Sequence, residues 1–592
     1  MNFTTFFFFL VCSINVVAVS KPNILLILTD DQGYGDFSIN GNTLVETPVL
    51  DKFAREGIQF ERFFVSPVCA PTRASLLTGR WWLRSGVWGV TQSKENMRPS
   101  EITIAETLQA AGYRTGCFGK WHNGEQFPYT APGQGFDEFL GFNNGHWNNY
   151  FDAELIRGSH FVKTKGFISD VLTDEAISFI EKNKAQPFFC YVPFNAPHSP
   201  FQVSDKYFNK YKTKGLDDVL ASVYGMCENT DDNVGRLLAT LDRLKLRENT
   251  IVFFLTDNGA NTERFNAGMR GRKGSVHEGG TRVPLWMQWP AQLREPRVIK
   301  EIAAHIDLYP TLLELCGIQS TAGIKFDGVS LVPLLKGQSS NWPERILFTH
   351  QSGGREQKPE RKNRDGVRTQ RYRAVFESGA NKNKGADEDW QLYDMQEDPG
   401  EKTNIAKSKP DMVKQLAAAY EAWFTDVAKD GFAKPRIPVG YDEQNPVRLY
   451  APQSSFSGNI RFFAGSGFAN DWLTGWTKIA DKIFFELEVG RAGLFDVELA
   501  YACPKENTGS KIRVSAGTNT VEGIVKTARA ERIPLPHRDG GSDTYINRDW
   551  GKLKLGQLRL DKGPVTLSIE ALSKPGEQVM DLKHVQLTRV KQ

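Results

Sequence analysis

Two segments of the chain are hydrophobic along almost their whole length and end in acidic or amide residues. They are "NILLILTDD" at residues 23–31 and "TIVFFLTDNG" at residues 250–259. Strands that are hydrophobic on both faces are typical of a parallel sheet covered by helices on both sides. Residues 103–112, "TIAETLQAAG", lie between them and have the pattern of a capped amphipathic helix. We therefore predict an α/β sandwich with a mostly parallel central sheet over residues 21–340.

The pattern changes twice toward the C-terminus. "RTQRYRAVF" and "WQLYDM" predict strands of a small antiparallel sheet, and "DMVKQLAAAYEAWFTDV" predicts an amphipathic helix that packs on it. These elements form a predicted α+β subdomain over residues 341–435. After a proline-containing linker, "IFFELEV", "LFDVELAY", "VTLSIEAL" and "VQLTRV" alternate hydrophobic and polar residues. This alternation predicts an all-β sandwich over residues 436–592.

Trp472 and Trp476, in "NDWLTGWTK", allow two interpretations of the β-sandwich. They could stack on sugar in a carbohydrate-binding module, since this part of the chain resembles β-sandwich domains appended to secreted polysaccharide-degrading enzymes. More often such aromatic residues belong to the hydrophobic core, in which case the sandwich would support the α/β part of the chain or pair subunits.

The first 20 residues, "MNFTTFFFFLVCSINVVAVS", contain no charged residue and a run rich in Phe, Leu and Val. This pattern resembles a secretory signal peptide cut near Ser20, which predicts export to the periplasm or the medium. A membrane anchor is the alternative, but the hydrophobic stretch is short for a membrane span. No later segment is long and hydrophobic enough to cross a bilayer, so we expect no stable membrane insertion.

Charge and cysteine content narrow the class of protein. The 73 Lys and Arg and 69 Asp and Glu give a net charge of +4 over 592 residues, which indicates no nucleic-acid partner. The seven cysteines have no paired spacing and predict neither a disulfide framework nor a zinc site. Cys69 is therefore either a buried structural thiol or the precursor of a catalytic group.

The two hydrophobic strands deliver oxygen-bearing side chains at matching positions. Asp30 and Asp31 follow the first strand, and Asp257 and Asn258 follow the second. In an open α/β sheet, ligands bind beyond the carboxyl ends of the strands. Three carboxylates and an amide suit a hard cation such as Ca²⁺ or Mg²⁺ rather than zinc, although single acidic residues at strand ends are usually turn or cap residues.

Basic and imidazole side chains occur in several short motifs between these acidic residues. They would form a cationic cradle for a tetrahedral oxyanion if the fold brings them together, although each alone is more often a structural or solvated residue. They are Arg73, Lys120, His122, His198 and Lys273.

The motifs that carry these residues resemble those of the type I formylglycine-dependent sulfatases of the alkaline-phosphatase superfamily. "CAPTRASLLTG" is similar to their C-x-P-x-R maturation signature, and "GYRTGCFGKWH" to their second signature, from which Phe118 departs. "LTDDQGYGD", "APHSP", "TDNGA" and "KGSVHEGGTRVP" follow in family order, and the resemblance runs from about Asn23 to about Val427. It implies an alkaline-phosphatase-like α/β sandwich.

The resemblance implies that a formylglycine-generating maturation enzyme oxidises Cys69 to formylglycine, whose aldehyde hydrates to a diol. One hydroxyl would attack sulfur and displace the alcohol, and the other would release the sulfate by re-forming the aldehyde. The resemblance also implies a role for each site residue: Asp30, Asp31, residue 69, Asp257 and Asn258 bind Ca²⁺, in preference to Mg²⁺; Arg73 orients the diol; Lys120 and Lys273 bind sulfate; His198, with or without Lys273, is the general acid; and His122 is the base. Cys117 has no such role and is expected to be a buried core thiol.

Substrate specificity in this family lies in the flanking loops. "LGFNNGHWNNYFD" places Asn144, His146 and Trp147 where the family has substrate-side residues, and His350 in "LFTHQSGGR" is a further candidate. Aromatic faces and amides suit sugar rings. We hypothesise an exported sulfatase for a sulfated carbohydrate, namely oligosaccharides of an algal polysaccharide such as ulvan. The alternatives are a phosphonate monoester or phosphodiester hydrolase, and a carbohydrate-binding protein with an inactive catalytic core.

Overall fold

A computed structural model of the chain describes residues 21–320, 323–352, 358–377, 389–536, 538 and 546–590. The predicted signal peptide, residues 1–20, and Cys12 within it lie outside the described residues. Within them, no helix combines the length and the hydrophobicity needed to cross a membrane.

The largest sheet has eleven strands. They are β1 Asn23–Thr29, β2 Ile58–Phe64, β3 Arg114–Lys120, β4 Glu138–Phe142, β5 Glu154–Arg157, β6 His160–Lys163, β7 Phe188–Pro193, β8 Thr250–Thr256, β9 Arg282–Gln288, β10 Arg297–Ile299 and β11 Ala303–Ala304. Their spatial order is β10-β2-β9-β8-β1-β7-β3-β4-β5-β6, and β11 also pairs with β2. The strands β8, β1, β7, β3 and β4 at its centre are parallel, as the sequence predicts.

The helices cover both faces of this sheet, together with short 3₁₀ turns. They are α1 Pro48–Arg55, α2 Cys69–Thr78, α3 Ile104–Ala110, α4 Ile168–Lys182, α5 Asp205–Lys212, α6 Asp218–Arg243, α7 Glu278–Thr281, α8 Leu308–Leu315, α9 Val332–Leu335 and α10 Pro410–Val427. The predicted capping box of α3 is present, since Thr103 N donates to Glu106 Oε2 at 2.7 Å and Glu106 N donates to Thr103 Oγ1 at 3.2 Å.

The side chains of β1 explain why this sheet needs two hydrophobic layers. Ile24, Leu26 and Leu28 belong to the core that contains α2, α3, α8 and α10. Leu25 and Ile27 belong to a second core with α1, α4, α5 and α6 on the opposite face. Because successive side chains of a strand point to opposite faces, a strand between two helical layers must be hydrophobic at every position.

A second sheet, antiparallel and four-stranded, packs at the edge of the first core. Its strands are β12 Leu347–Gln351, β13 Arg364–Arg368, β14 Tyr372–Glu377 and β15 Gln391–Asp394, in that spatial order. Leu416 and Tyr420 of α10 and Val367 of β13 lie in the same hydrophobic core as α2. The predicted small antiparallel sheet and its helix are therefore present.

The C-terminal region is a sandwich of two six-stranded sheets with a short two-stranded ladder. Its strands are β16 Ile437–Val439, β17 Val447–Tyr450, β18 Ser455–Phe456, β19 Arg461–Phe462, β20 Leu473–Thr474, β21 Lys482–Val489, β22 Gly493–Ala502, β23 Lys511–Ala516, β24 Asn519–Ile524, β25 Arg532–Ile533, β26 Asn547–Arg548, β27 Gly551–Leu560, β28 Gly563–Ser573 and β29 Asp581–Arg589. One sheet has the order β16-β21-β28-β23-β24, with β18 on β21, and the other has β19-β20-β29-β22-β27, with β17 on β29.

The inner faces of the sandwich follow the alternation seen in the sequence. Along β21, the hydrophobic residues from Ile483 to Val489 are buried at every second position, whereas Glu486 and Glu488 are exposed. Trp472 and Trp476 are each 1% exposed, which decides their interpretation in favour of the core. The domain boundaries drawn from the sequence stay predictions.

Hydrogen bonds join the sandwich to the α/β part. Gln126 Nε2 donates to Arg448 O at 2.9 Å, and Asn148 Nδ2 donates to Ile546 O at 3.1 Å. Arg448 also forms an ion pair with Glu154 at 3.1 Å and lies over the ring of Phe161. The sandwich is thus seated on the part of the α/β sheet that contains β5 and β6.

Candidate active site

Functional side chains converge at one edge of the large sheet, beyond the carboxyl ends of four adjacent parallel strands. These strands have the order β8-β1-β7-β3. Asp30 and Asp31 follow β1, Asp257 and Asn258 follow β8, His198 lies in the loop after β7, and Lys120 and His122 lie at the end of β3. Because these strands are parallel and adjacent, residues far apart in the chain meet at this edge.

Backbone contacts hold the acidic pairs in place. Asp31 has a left-handed conformation with φ 64°, which turns the chain sharply after β1. Asp30 N donates to Ala196 O at 3.1 Å, and Asp257 N donates to Thr29 O at 3.0 Å. Asp31 N also donates to Asp257 Oδ1 at 3.1 Å, so the two strand ends are linked directly.

Cys69 is the first residue of α2 and is 3% exposed. One turn further, Arg73 is fully buried; its Nη2 contacts Asp257 Oδ2 at 2.8 Å and its Nη1 donates to Lys120 O at 2.7 Å. The Sγ atom of Cys69 lies within 4.8 Å of carboxylate oxygens of Asp30 and Asp257. The first turn of α2 thus places residue 69 against the acidic pairs, at the helix end that favours anions.

The acidic residues have the chemistry of a hard-cation site. Asp30 Oδ1, Asp31 Oδ2 and Asn258 Oδ1 are buried and have no hydrogen-bond partner among the described residues. A buried polar atom without a partner costs free energy, which a bound cation would offset. Carboxylate and amide oxygens are the ligands that Ca²⁺ and Mg²⁺ take in proteins. The residues therefore fit a divalent metal.

Cationic groups border the acidic pairs on the side of Cys69. Lys120 Nζ lies 2.6 Å from Asp30 Oδ2, and Lys273 Nζ lies 2.6 Å from Asp31 Oδ1. His198 Nε2 lies 3.6 Å from Asp31 Oδ2. The structure thus brings together positive and negative groups in one buried site, where their mutual interactions are only weakly screened.

Two of the three aspartates of the site, Asp257 and Asp31, have pKa values shifted in opposite directions. Burial raises the pKa of Asp257 to about 7, and Asp30 adds to this increase while Arg73 opposes it. Burial would also raise the pKa of Asp31, but Lys273 and other cationic neighbours outweigh it and hold that pKa well below its usual range. The charge balance of the site therefore calls for further positive charge near Asp257 and Asp30.

Burial also shifts the pKa values of the basic residues and thereby their protonation. It lowers the pKa of His198 to about 3, with Asp31 opposing the shift, and it lowers the pKa of His122 well below its usual value, with Lys120 adding to the effect. Burial would lower the pKa of Lys273, but Asp31 outweighs it and raises that pKa. At neutral pH the two imidazoles are neutral and the Lys273 side chain is protonated.

The site opens into a cavity of about 350 Å³. Its lining includes Asp31, Cys69, His122, His198 and Lys273.

Two family models match this part of the chain: "Sulfatase" over residues 22–318 and "N-sulphoglucosamine sulphohydrolase, C-terminal" over residues 272–425. The N-acetylgalactosamine-6-sulfatase of Canis lupus familiaris is 33% identical over 364 residues, covering 55% of this chain and 68% of that protein.

Arylsulfatase A of Bos taurus is 32% identical over 462 residues, covering 68% of this chain and 87% of that protein. The chain belongs to the sulfatase family. It is a sulfuric ester hydrolase. Among solved structures, Ps i-CgsB in complex with k-i-k-neocarrahexaose is 28% identical, with a TM-score of 0.63 and coverage of 70% of this chain and 95% of that chain. The predicted α/β fold of the alkaline-phosphatase-like class is confirmed.

The predicted substrate-side residues of the sulfatase do not all lie in the same cavity. His146 lines the catalytic cavity, and its ring stacks on that of His198 with centroids 6.0 Å apart. Trp147 instead stacks on Phe142, and Asn144 is buried. His350 lies in a neighbouring cavity. Their roles in substrate binding stay predictions.

His350 is buried, and two polar contacts of its Nδ1 atom fix the orientation of its ring. Its Nδ1 lies 3.0 Å from Asp365 Oδ1 and 2.9 Å from Tyr420 Oη. It lines a cavity of about 280 Å³ beside the catalytic one. Cys117 is fully buried in the hydrophobic core, in agreement with the expectation for that thiol.

Two features of the site were not found from the sequence. Arg264 forms a fully buried ion pair with Asp36 at 2.7 Å and donates from Nη2 to Asp31 O at 2.8 Å, so it supports the turn that carries the acidic pair. The residue Arg264 has no motif of its own in the sequence. Phe468 and Ala469 of the β-sandwich line the catalytic cavity, although nothing in their sequence indicates contact with site residues that lie between Asp31 and Lys273.

Proposed function

We propose that this sulfatase hydrolyses sulfate monoesters of a sulfated carbohydrate, and that its substrates are oligosaccharides of an algal polysaccharide such as ulvan. The observation that carries the proposal is the arrangement around Cys69: one buried wall of the cavity combines acidic oxygens with Lys273, His198 and His122. This combination suits a sulfate group held beside a metal, because the cations neutralise the sulfate oxygens and the acidic residues hold the metal.

Formylglycine made from Cys69 would supply the oxygen nucleophile, and Ca²⁺ held by Asp30, Asp31, Asp257 and Asn258 would polarise a sulfate oxygen. Ca²⁺ is preferred to Mg²⁺ because it accepts more oxygen ligands in less regular geometry. The thiol itself is a poor partner for such a hard cation. Burial also raises the pKa of the Cys69 thiol, which makes the unmodified residue a weak nucleophile.

The cationic residues of the site would orient the ester. Lys120 and Lys273 each hold an ammonium group beside an acidic residue of the metal site, at 2.6 Å from Asp30 and Asp31. These two ammonium groups would therefore bind the oxygens of a sulfate group placed beside Asp30 and Asp31. Arg73, locked between Asp257 and the Lys120 carbonyl, would fix the orientation of residue 69.

Proton transfer would fall to the residues that line the open side of the cavity. His198 and Lys273 share Asp31 as a neighbour, and His198, with or without Lys273, is the proposed proton donor to the leaving oxygen. The neutral His198 would have to take up a proton before it could act as this acid. Lys273 is the group that is protonated at neutral pH, since Asp31 raises its pKa. His122, whose Nε2 lies 2.9 Å from Val90 O, is neutral and would accept the proton when the sulfate is released.

The substrate class rests on the size of the cavity and on the relatives. A volume of about 350 Å³ lies at the lower end of the range for small-molecule sites, about 300–1,000 Å³. This size suits one sulfated sugar unit better than a long polymer segment. Ps i-CgsB binds k-i-k-neocarrahexaose, and this sulfatase resembles it over 70% of the chain.

Maturation and export complete the proposal. Cys69 lies in the C-x-P-x-R segment, so a formylglycine-generating enzyme is the proposed maturation partner. Residues 1–20 have the composition of a signal peptide, and we propose that the enzyme works in the periplasm or the medium. N-terminal sequencing of the protein recovered outside the cytoplasm tests the export and should begin near Lys21.

The decisive experiment measures sulfate release by ion chromatography. The enzyme is produced with a formylglycine-generating enzyme, and mass spectrometry confirms the modification of residue 69. The substrates are p-nitrophenyl sulfate and a panel of sulfated mono- and oligosaccharides that includes fragments of ulvan and carrageenan. Cys69→Ala is the matched control, because it removes the nucleophile while changing one small buried side chain.

Release from a sugar sulfate that disappears in Cys69→Ala would support the proposal and identify the sugar. Release from p-nitrophenyl sulfate alone would contradict the carbohydrate substrate. Release from carrageenan fragments without release from ulvan fragments would contradict the ulvan assignment and retain the carbohydrate class.

A further inference from the structure

The loop between β19 and β20, residues 463–472, extends from the C-terminal β-sandwich to the catalytic cavity. Two of its residues, Phe468 and Ala469, line this cavity together with Cys69 and His198. Charged and imidazole groups such as Asp31, Lys273 and His198 also line the cavity. Val68 and Val90 of the α/β part are hydrophobic lining residues as well, and Phe468 of the loop is the aromatic one among the described lining residues that is not an imidazole.

Several contacts fix the loop in this position. Thr91 Oγ1 donates to Gly467 O at 2.8 Å, and Asn470 Nδ2 donates to His146 O at 2.6 Å. Within the loop, the Asp471 carboxylate accepts hydrogen bonds from Ala464 N and Gly467 N, both at 3.2 Å. The loop is thus closed on itself and tied to the α/β part on both sides of Phe468.

The contact with His146 connects the loop to a residue of the reaction. Lys583 of β29 donates to the carbonyl of Asn470, whose side chain binds His146 O. The His146 ring stacks on His198 with an interplanar angle of 9°. A displacement of the loop would therefore alter the cavity wall beside His198 as well as its hydrophobic side.

Phe468 lines two neighbouring cavities. The catalytic cavity and the cavity of about 280 Å³ that His350 lines have Val68, Val90, Gln351 and Phe468 in common. A substrate that extends from the first cavity into the second would therefore lie beside this aromatic ring. Aromatic rings offer a large, rigid apolar surface on which the nonpolar face of a sugar can pack.

We propose that the 463–472 loop of the β-sandwich is the substrate-selecting wall of the active site, and that Phe468 contacts the alcohol part of the sulfate ester. The inference rests on the proposed function for the kind of alcohol, which is a sugar. The sandwich is then a component of the active site and not a separate carbohydrate-binding module. The sulfate end of the substrate, held by Lys120 and Lys273, is independent of the loop.

The test compares Phe468→Ala with Phe484→Ala in the full-length, formylglycine-containing enzyme. Phe484 is a half-buried phenylalanine of β21 that does not line the cavity, so it is a matched control. We expect Phe468→Ala to lower kcat/KM for the substrate about tenfold, mainly through KM, since truncating a central contact residue commonly costs this much. The inhibition constant of inorganic sulfate should stay unchanged, because sulfate alone does not reach the loop.

Phe468→Leu provides a second variant that keeps a hydrophobic side chain and should show a smaller effect in the same direction. Equal kcat/KM values for the variants at 468 and Phe484→Ala would overturn the proposal. So would an equal weakening of sulfate inhibition, which would place Phe468 at the sulfate end. If the wild-type enzyme hydrolyses only p-nitrophenyl sulfate, the carbohydrate function fails, and the same variants test the wall on that ester.

Discussion

The large α/β sheet and the C-terminal β-sandwich bury their residues in different ways. The central strands of the large sheet are hydrophobic on both faces, and their carboxyl ends carry buried charges such as Asp30, Asp257 and Lys120. The strands of the sandwich bury one face only, and its core consists of hydrophobic residues around Trp476 and Phe485. The first region holds a reactive site at its edge, and among the described residues of the second region Phe468 and Ala469 of one loop line the cavity of that site.

This difference has a physical cause. Four adjacent parallel strands end at the same edge, so a few residues after each strand suffice to assemble a site. In an antiparallel sandwich the strand ends alternate in direction, and polar residues on its outer face meet water. The buried charges of the α/β part are therefore costly to stability unless a metal ion binds beside them. The sandwich contributes a hydrophobic core and part of the cavity wall.

The largest expected effect comes from removing the divalent cation. We expect dialysis against EGTA to reduce sulfate release to background and to lower the Tm, because the carboxylates of Asp30, Asp31 and Asp257 then face each other without the cation. Sulfate release and differential scanning fluorimetry measure the two effects.

Addition of Ca²⁺ should restore both activity and Tm, and Mg²⁺ should restore less. Activity that survives complete chelation would contradict a metal at this site. The α/β part would then not differ from the sandwich by holding a metal.

A core substitution in the sandwich should lower the stability of the protein but not its activity per folded molecule. Trp476 is 1% exposed and its Nε1 donates to Asp481 O at 3.1 Å. We expect Trp476→Ala to lower the free energy of unfolding by about 3–5 kcal/mol, the usual cost of truncating a large core aromatic residue. Urea unfolding measures this loss.

Under conditions where Trp476→Ala is folded, its kcat per active site should equal that of the wild type. A selective loss of sugar-sulfate turnover with unchanged stability would instead indicate that this tryptophan binds substrate.

The smallest expected effect concerns a charge buried in the α/β part. Asp231 of α6 accepts hydrogen bonds from Val49 N at 3.0 Å and Leu50 N at 2.7 Å at the start of α1. Burial raises the pKa of Asp231 to about 7. Since this folded-state pKa exceeds the unfolded value, the contribution of Asp231 to stability is complete below about pH 4 and is lost as the pH rises toward 7.

We therefore expect the free energy of unfolding of Asp231→Asn, relative to wild type, to improve by about 3 kcal/mol between pH 4.5 and pH 8 in urea unfolding. Asp561→Asn, at an exposed position of the sandwich, is the control and should leave the pH dependence unchanged. Parallel curves for wild type and Asp231→Asn would show that this carboxyl is already ionised in the folded protein.

Much of the fold and of the reactive core could be predicted from the sequence. The run from Asn23 to Thr29 predicts a central strand because a strand covered by helices on both sides needs hydrophobic residues on both faces. The motifs that end in Asp31 and Asn258 follow such strands directly, so their meeting could be expected. The loop residues Trp147 and His350 are different, since a loop motif does not determine which side chain points into a cavity.

By itself, the sequence determined the order of the elements, the family and the chemical groups of the site, because local hydrophobic periodicity and short motifs encode them within a few residues. Only the tertiary structure decided that Phe468 reaches the cavity of Cys69, that Arg264 supports Asp31, and that Trp472 and Trp476 belong to the core. These facts depend on contacts between segments that are distant in the chain. Such contacts follow from how whole sheets pack, and no local pattern records them.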